Sequence, residues 1–329
     1  MATYRFVKKI VYFHLFSLYS RRMTENFEQK YLKVDDIHTV AYRLYGNKSG
    51  IPLLMFHGGP GGDIDYGLLE LIDLNVFYVV TISQRGCGLS APLGELRHNT
   101  THDLIEDIEK IRQAEGLDKC VVFGRSWGTT LALLYAFQFP QHCAYLVLRG
   151  IFLARDEDED WTLRRSASVY PYEWSKFAQD LNPEEPLNVQ LYEKIVQAPY
   201  QEALPFSQRL SHYFEILATN NPQAPLREET LQNLAANQIF LHYSVNHYFL
   251  EPDFMAKNLP NLDMHHLRGT ILHGGADNDC LVSQAQYLHQ QWQGSQLIIE
   301  PSAPHCDKHQ GIRHQLQCVF RKVAELSGV

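Results

Sequence analysis

Between Tyr31 and Arg149, short apolar and β-branched runs alternate with stretches of helical periodicity, the pattern of a sheet built from βα units. Tyr31 to Val34 and Thr39 to Leu44 read as an opening hairpin. Leu53 to His57, Phe77 to Ser83 and Cys120 to Gly124 are apolar runs that end in turn residues, as buried parallel strands do. After Asn99 and Thr100, the residues Leu104, Ile105, Ile108 and Ile111 form one apolar stripe and Gly116 supplies a stop, which predicts a helix covering the sheet. Beyond the strand Tyr145 to Arg149 the rhythm breaks. An acidic burst, Asp156 to Asp160, opens a segment rich in Trp, Tyr and Pro, and βα patterning returns only at Gly269. The return comprises a strand Thr270 to His273, a helix from Val282 to Gln291, a strand Gln296 to Ile299 and a final helix from about Lys308 to Leu326. The expected architecture is α/β: a mostly parallel central sheet flanked by helices, with an inserted helical cap. Residues 31–150 and 263–329 form the core, 151–262 the cap and 1–30 an N-terminal extension. The acidic burst reads as a solvated face and is assigned no chemistry.

Composition narrows the partners. The 329 residues are 45% hydrophobic and 20% charged, ordinary for a globular chain that buries a sizeable core. A formal charge of −8 argues against a nucleic-acid partner, because phosphate binding needs clustered Lys and Arg. A small peptide or small-molecule substrate fits better. Six cysteines, at 87, 120, 143, 280, 306 and 318, lack the dense or CxxC spacing of a stapled or metal-bound domain, so reduced thiols and a cytoplasmic location are expected. Lys8 and Lys9 precede an apolar run, Ile10 to Tyr19, that superficially resembles a signal peptide or a membrane contact. His14 interrupts it, Arg21 and Arg22 follow where small residues would mark cleavage, and it is too short to span a bilayer. A surface helix or frayed extension is the simpler reading, with Met23 an alternative start.

Chemistry concentrates in the loops after the strands. Gly124-Arg125-Ser126-Trp127-Gly128 follows a buried strand and precedes a helix from Thr129 to Phe137, the context of a nucleophile elbow. Such a turn is the mark of the α/β-hydrolase fold, and it makes Ser126 the candidate nucleophile. A serine hydroxyl needs a histidine base held by a carboxylate, and in this fold the chain order is Ser, acid, His. Asp277, in Gly274-Gly275-Ala276-Asp277, lies in the loop after one late strand; Asp279 is its close competitor. His305, after the next strand, is the best-placed base among 16 histidines. His57-Gly58-Gly59-Pro60-Gly61-Gly62 follows the third strand, where the fold supplies one oxyanion-hole amide, so Gly59 and Trp127 are the expected backbone donors. No Gly-Lys-Ser/Thr follows, which disfavours a phosphate loop.

These motifs, together with Gln84-Arg85-Gly86-Cys87-Gly88, Ser90 and Leu146-Val147-Leu148-Arg149-Gly150-Ile151-Phe152, resemble those of the prolyl aminopeptidase (proline iminopeptidase) family from about Tyr31 to the C-terminus. The resemblance implies a triad of Ser126, Asp277 and His305, release of N-terminal proline from peptides, and no metal or organic cofactor. Four departures bear on substrate. Ser83 stands where the family has an aspartate, and Pro304 replaces a glycine before His305. Val245, before Asn246-His247-Tyr248-Phe249, replaces a glutamate that helps hold the substrate's amine, and Ala235 to Gln238 offers no second carboxylate. A buried ammonium without an anion is costly, so an ester or amide lacking a free amine is the alternative substrate. A receptor built on a hydrolase scaffold is a rival of another class, and the intact triad argues against it. Dehalogenase and epoxide-hydrolase chemistry is disfavoured because Ser126 cannot supply a carboxylate nucleophile.

Overall fold

The computed structural model describes residues 26–252, 254–260 and 266–327; the apolar run from Ile10 to Tyr19 lies outside them. Eight strands form one sheet: β1 (Phe27–Lys33), β2 (Thr39–Gly46), β3 (Ile51–Phe56), β4 (Phe77–Ile82), β5 (Cys120–Arg125), β6 (Cys143–Arg149), β7 (Gly269–Gly274) and β8 (Ser295–Glu300). Their order is β1-β2-β4-β3-β5-β6-β7-β8. The β1–β2 and β2–β4 pairs are antiparallel, and every later pair is parallel. The hairpin was expected to start at Tyr31, but β1 pairs from Phe27, opposite Tyr45. Residues 27–30 therefore belong to the sheet rather than to an extension. Periodicity could not reveal this edge, because Phe27-Glu28-Gln29-Lys30 is mostly solvent-facing.

Alternation along the central strands explains the layering. Leu54, Phe56, Val80, Ile82, Val122, Leu146 and Leu148 point to one face, into a core shared with helices α1 (Thr101–Ala114) and α2 (Trp127–Gln138). Their neighbours Leu53, Met55, Val79, Val121, Phe123 and Val147 point to the other, against the C-terminal helix Gln310–Leu326. That helix presents Ile312, Leu316, Val319, Phe320 and Val323, spaced as one stripe of a 3.6-residue helix. Helix α1 starts at a capping box in which Thr100 and Asp103 satisfy each other's backbone N–H.

Between β6 and β7 lie α3 (Asp156–Leu163), α4 (Pro171–Phe177), α5 (Leu187–Ile195), α6 (Tyr200–Thr219), α7 (Leu231–Val245) and α8 (Phe254–Asn258). Leu163, Phe177, Leu191, Ile195, Leu210, Tyr213 and Leu241 give α3 to α7 a hydrophobic cluster distinct from the two sheet cores. Helices α9 (Val282–Gln291) and α10 (Gln310–Leu326) complete the described helices. None of them is long and apolar enough to cross a membrane.

Candidate active site

Strand β5 ends at Arg125, and Ser126 turns the chain into α2 with φ 54° and ψ −125°, a conformation costly for a non-glycine residue. Two backbone bonds hold it: Ser126 N–H donates to Arg149 O at 2.9 Å, and Thr129 N–H donates to Ser126 O at 2.7 Å. The flanking glycines are required by contact. A Cβ on Gly124 would stand 2.2 Å from Gly128 O, and one on Gly128 would stand 2.3 Å from Phe56 O. The buried Trp127 indole anchors the helix start, donating to Gln84 Oε1 at 3.0 Å and packing against the rings of Tyr243 and Tyr248.

The loops after β7 and β8 bring an acid and a histidine together. Asp277 Oδ1 accepts from the backbone N–H groups of Asp279 and Cys280 at 3.0 and 2.8 Å, which fixes the carboxylate. Its Oδ2 lies 2.7 Å from His305 Nδ1. Asp279 Oδ2 lies on the other side of the imidazole, 3.7 Å from Nε2, beyond hydrogen-bond reach. The two competing acids are thus separated by geometry. Burial pushes the Asp277 carboxyl up, but the charge and hydrogen bond of His305 outweigh it and leave Asp277 below the ordinary carboxylate range. Asp279, without a hydrogen bond from His305, is raised by burial. Pro304 is tied to the end of β6. Its carbonyl accepts from Arg149 Nη2 at 3.4 Å, while Asp307 pairs with Arg149 at 2.8 Å and with Arg125. Tight packing places the ring: a Cβ on Gly150 would meet His305 Cε1 at 2.9 Å.

Another histidine beneath the site is locked neutral. His273 Nδ1 accepts from Ile151 N–H at 3.0 Å and Nε2 donates to Cys280 O at 2.8 Å, and burial pulls its pKa down to about 4. The Cys280 side chain lines the same cavity as Ser126. Its sulfur and the donor atoms of Asp279 and His305 all lie within 4.8 Å of one another. Such a donor set suits a soft divalent cation, which would occupy the His305 nitrogen facing the site. Scattered thiols along the chain gave no sign of this; only the position of Cys280, three residues after Asp277, could have raised it.

The glycine-rich loop after β3 is tied to the loop after β4. His57 Nδ1 donates to Gly58 O at 2.8 Å, its Nε2 accepts from Gln84 N–H at 3.0 Å, and Gln84 Nε2 donates to His57 O at 3.0 Å. Burial keeps His57 neutral, consistent with one nitrogen donating and the other accepting. Ser83 donates to Asp63 Oδ1 at 3.1 Å, and Arg85 is clamped by Asp107 and Asp35 at 2.5 and 2.7 Å.

Over these strand ends lies a cavity of about 170 Å³ reached by Gly59, Ser126, Asp279 and Cys280. The helical layer supplies its far wall, with Phe214, Phe240 and Tyr248 facing Phe152. Ala236 and Asn237 also line it, and no carboxylate comes from Ala235 to Gln238. One comes instead from the acidic burst. Glu159 lines the cavity, and its neighbour Asp158 is buried against Arg155 at 2.6 Å. The reading of 156–160 as a solvated face is therefore corrected. Tertiary packing turns two of its five acids inward, which an unbroken acidic run could not signal.

A sheet of this order, with a serine on the strained turn after its fifth strand, is the frame of the α/β-hydrolases, and the family model described as alpha/beta hydrolase fold matches residues 51–311. Proline iminopeptidase of Arabidopsis thaliana is 35% identical over 306 residues, covering 90% of this chain and 80% of the relative. A probable proline iminopeptidase of Leptolyngbya boryana is 33% identical over 289 residues, covering 85% and 89%. The chain belongs to the proline iminopeptidase family of these hydrolases. Among solved structures, a proline iminopeptidase-related protein of Thermus thermophilus superposes with a TM-score of 0.63 at 20% identity, covering 91% of this chain and 99% of that one. An esterase of Exiguobacterium antarcticum gives 0.62 at 19%, covering 91% and 100%. At these identities the two structures bear on fold alone.

Proposed function

We propose that the protein is a serine hydrolase that releases N-terminal proline from peptides through an acyl-enzyme, with Ser126, His305 and Asp277 as its triad. The observation that carries this reading is the 2.7 Å bond between Asp277 Oδ2 and His305 Nδ1, beside Asp279 and Cys280, which line one cavity with Ser126, in a chain whose relatives are proline iminopeptidases. With Nδ1–H donated to Asp277, Nε2 is the basic nitrogen and takes the Ser126 proton as Oγ attacks the acyl carbon. The backbone N–H groups of Gly59 and Trp127 receive the oxyanion, worth about 3–4 kcal/mol per donor where such a donor has been removed. His305 then protonates the leaving amine, and water, activated by the same nitrogen, releases proline. Residues 151–262 serve as the lid that excludes bulk water, and the six free cysteines support a reducing, cytoplasmic setting.

A second reading keeps this machinery but takes an ester or amide without a free amine. It is favoured by Val245 and by the carboxylate-free stretch Ala235 to Gln238. Hydrolysis of proline p-nitroanilide beside N-acetylproline p-nitroanilide and p-nitrophenyl acetate, with Ser126→Ala as blank, separates the two. The aminopeptidase reading expects preference for free proline; turnover of only the acetylated anilide or the ester overturns it.

A further inference from the structure

A substrate with N-terminal proline brings a secondary ammonium to the cavity, next to the acyl carbon that Ser126 attacks. Desolvating that charge without an anion is unfavourable. Among the described residues lining the cavity no lysine or arginine appears, and the carboxylates are Glu159 and Asp279. Asp279 is committed to the neighbourhood of His305, 3.7 Å from its Nε2.

Glu159 stands apart from the other inward acid of its helix. Asp158 is neutralised by Arg155, whereas among the described residues no lysine or arginine forms an ion pair with Glu159. Its hydrogen-bond partner is a neutral donor, Asn188 Nδ2, which donates to Oε1 at 2.8 Å, and burial pushes the Glu159 carboxyl up. Tyr248 lines the cavity, beside the aromatic wall that suits an apolar ring. Glu159 also borders an outer groove with Asp156, Asp160, Asn188 and His247, in which the one arginine among the described residues, Arg164, faces Asp160 at 3.9 Å rather than Glu159.

We infer that Glu159 is the anion that holds the protonated imino group of the substrate, and hence the residue that selects for a free N-terminus. This rests on the proline iminopeptidase reading above. Glu159 is a specificity residue: it touches the substrate's ammonium and takes no part in proton transfer at Ser126.

The test uses the full chain and the conservative variant Glu159→Gln, with Glu159→Asp as a charged control. Proline p-nitroanilide is compared with p-nitrophenyl acetate, which carries no ammonium. Because a charge-assisted contact made equally in ground and transition states acts on KM, Glu159→Gln should raise KM for the anilide about tenfold or more, with a smaller change in kcat. The ratio of kcat/KM between anilide and acetate should fall by the same factor, and Glu159→Asp should recover part of it. A second readout is inhibition of acetate hydrolysis by pyrrolidine, which should weaken about tenfold in Glu159→Gln. Equal losses on both substrates, or unchanged pyrrolidine inhibition, overturn the inference while leaving the function intact. A wild-type enzyme that hydrolyses the acetate but not the anilide fails the function instead. Pyrrolidine inhibition in that enzyme still decides whether Glu159 binds the cation.

Discussion

The strand ends and the helical layer above them meet at one cavity but are built differently. At the strand ends, position is set by backbone. Ser126 is held by N–H and C=O bonds on either side, Asp277 Oδ1 by two backbone N–H groups, and the His305 loop by Asp307 bridging Arg125 and Arg149. In the helical layer, the groups that reach the cavity are side chains on helices with their own hydrophobic cluster, and the inward acid Glu159 accepts a hydrogen bond from the neutral side chain of Asn188. On the proposed reading, reaction chemistry resides on a scaffold that leaves little freedom, while substrate choice resides on surfaces that a few substitutions can rewrite. Val245 and Ala235 to Gln238 carry no carboxylate, while the elbow and the His–Asp pair are complete, a combination that such a division allows.

The sharpest way to break the comparison is at the strand ends. Ser126→Ala and His305→Ala should each lower kcat by about a million-fold on ester and anilide alike, with unchanged circular dichroism. Substantial residual activity in either would mean that the chemistry lies elsewhere. Asp277→Asn should cost about ten-thousand-fold, because His305 would lose the partner that sets its tautomer, whereas Asp279→Asn should cost less than about tenfold. Reversed sizes would make Asp279 the working acid.

Smaller effects probe what holds the two regions. Asp307→Asn strips two arginines of their counter-charge, one of them the fully buried Arg149, and should lower unfolding free energy in urea by about 3–5 kcal/mol. A loss under about 1 kcal/mol would show that water or backbone carries those charges. His273, held at a pKa of about 4, refuses between that value and about 6.5 a proton that the unfolded chain binds. Its contribution is full above about pH 6.5, falls as the pH drops towards 4 and is level below, a total of about 3 kcal/mol. Urea titrations across that window should show the fall in wild type and a flatter profile in His273→Gln; identical profiles would exclude His273 as the source. In the helical layer, Leu210→Ala should remove at least about 2 kcal/mol of local stability by hydrogen exchange, with turnover of p-nitrophenyl acetate retained. Matching loss of protection in the sheet would mean that the two regions unfold as one.

Much of this was determined by the sequence alone, wherever the cause is local. Glycines that permit a close backbone turn, apolar runs that end in loops and a helix start after Ser126 are properties of a dozen neighbouring residues, so the elbow, the strand order in the chain and the glycine-rich loop could be placed without coordinates. Periodicity also located α1 and the final helix to within about two residues at most ends. Tertiary structure decided what depends on segments far apart in the chain. Asp277 and Asp279 share one loop and one residue type, and only the direction of the His305 ring distinguishes them. Cys280 and Ser126, more than a hundred residues apart in the chain, line one cavity. Within the acidic run 156–160 every position has the same hydropathy, so no pattern distinguishes the face packed inward; the neighbours supplied by Arg155, Asn188 and Tyr248 turn Asp158 and Glu159 out of the solvent.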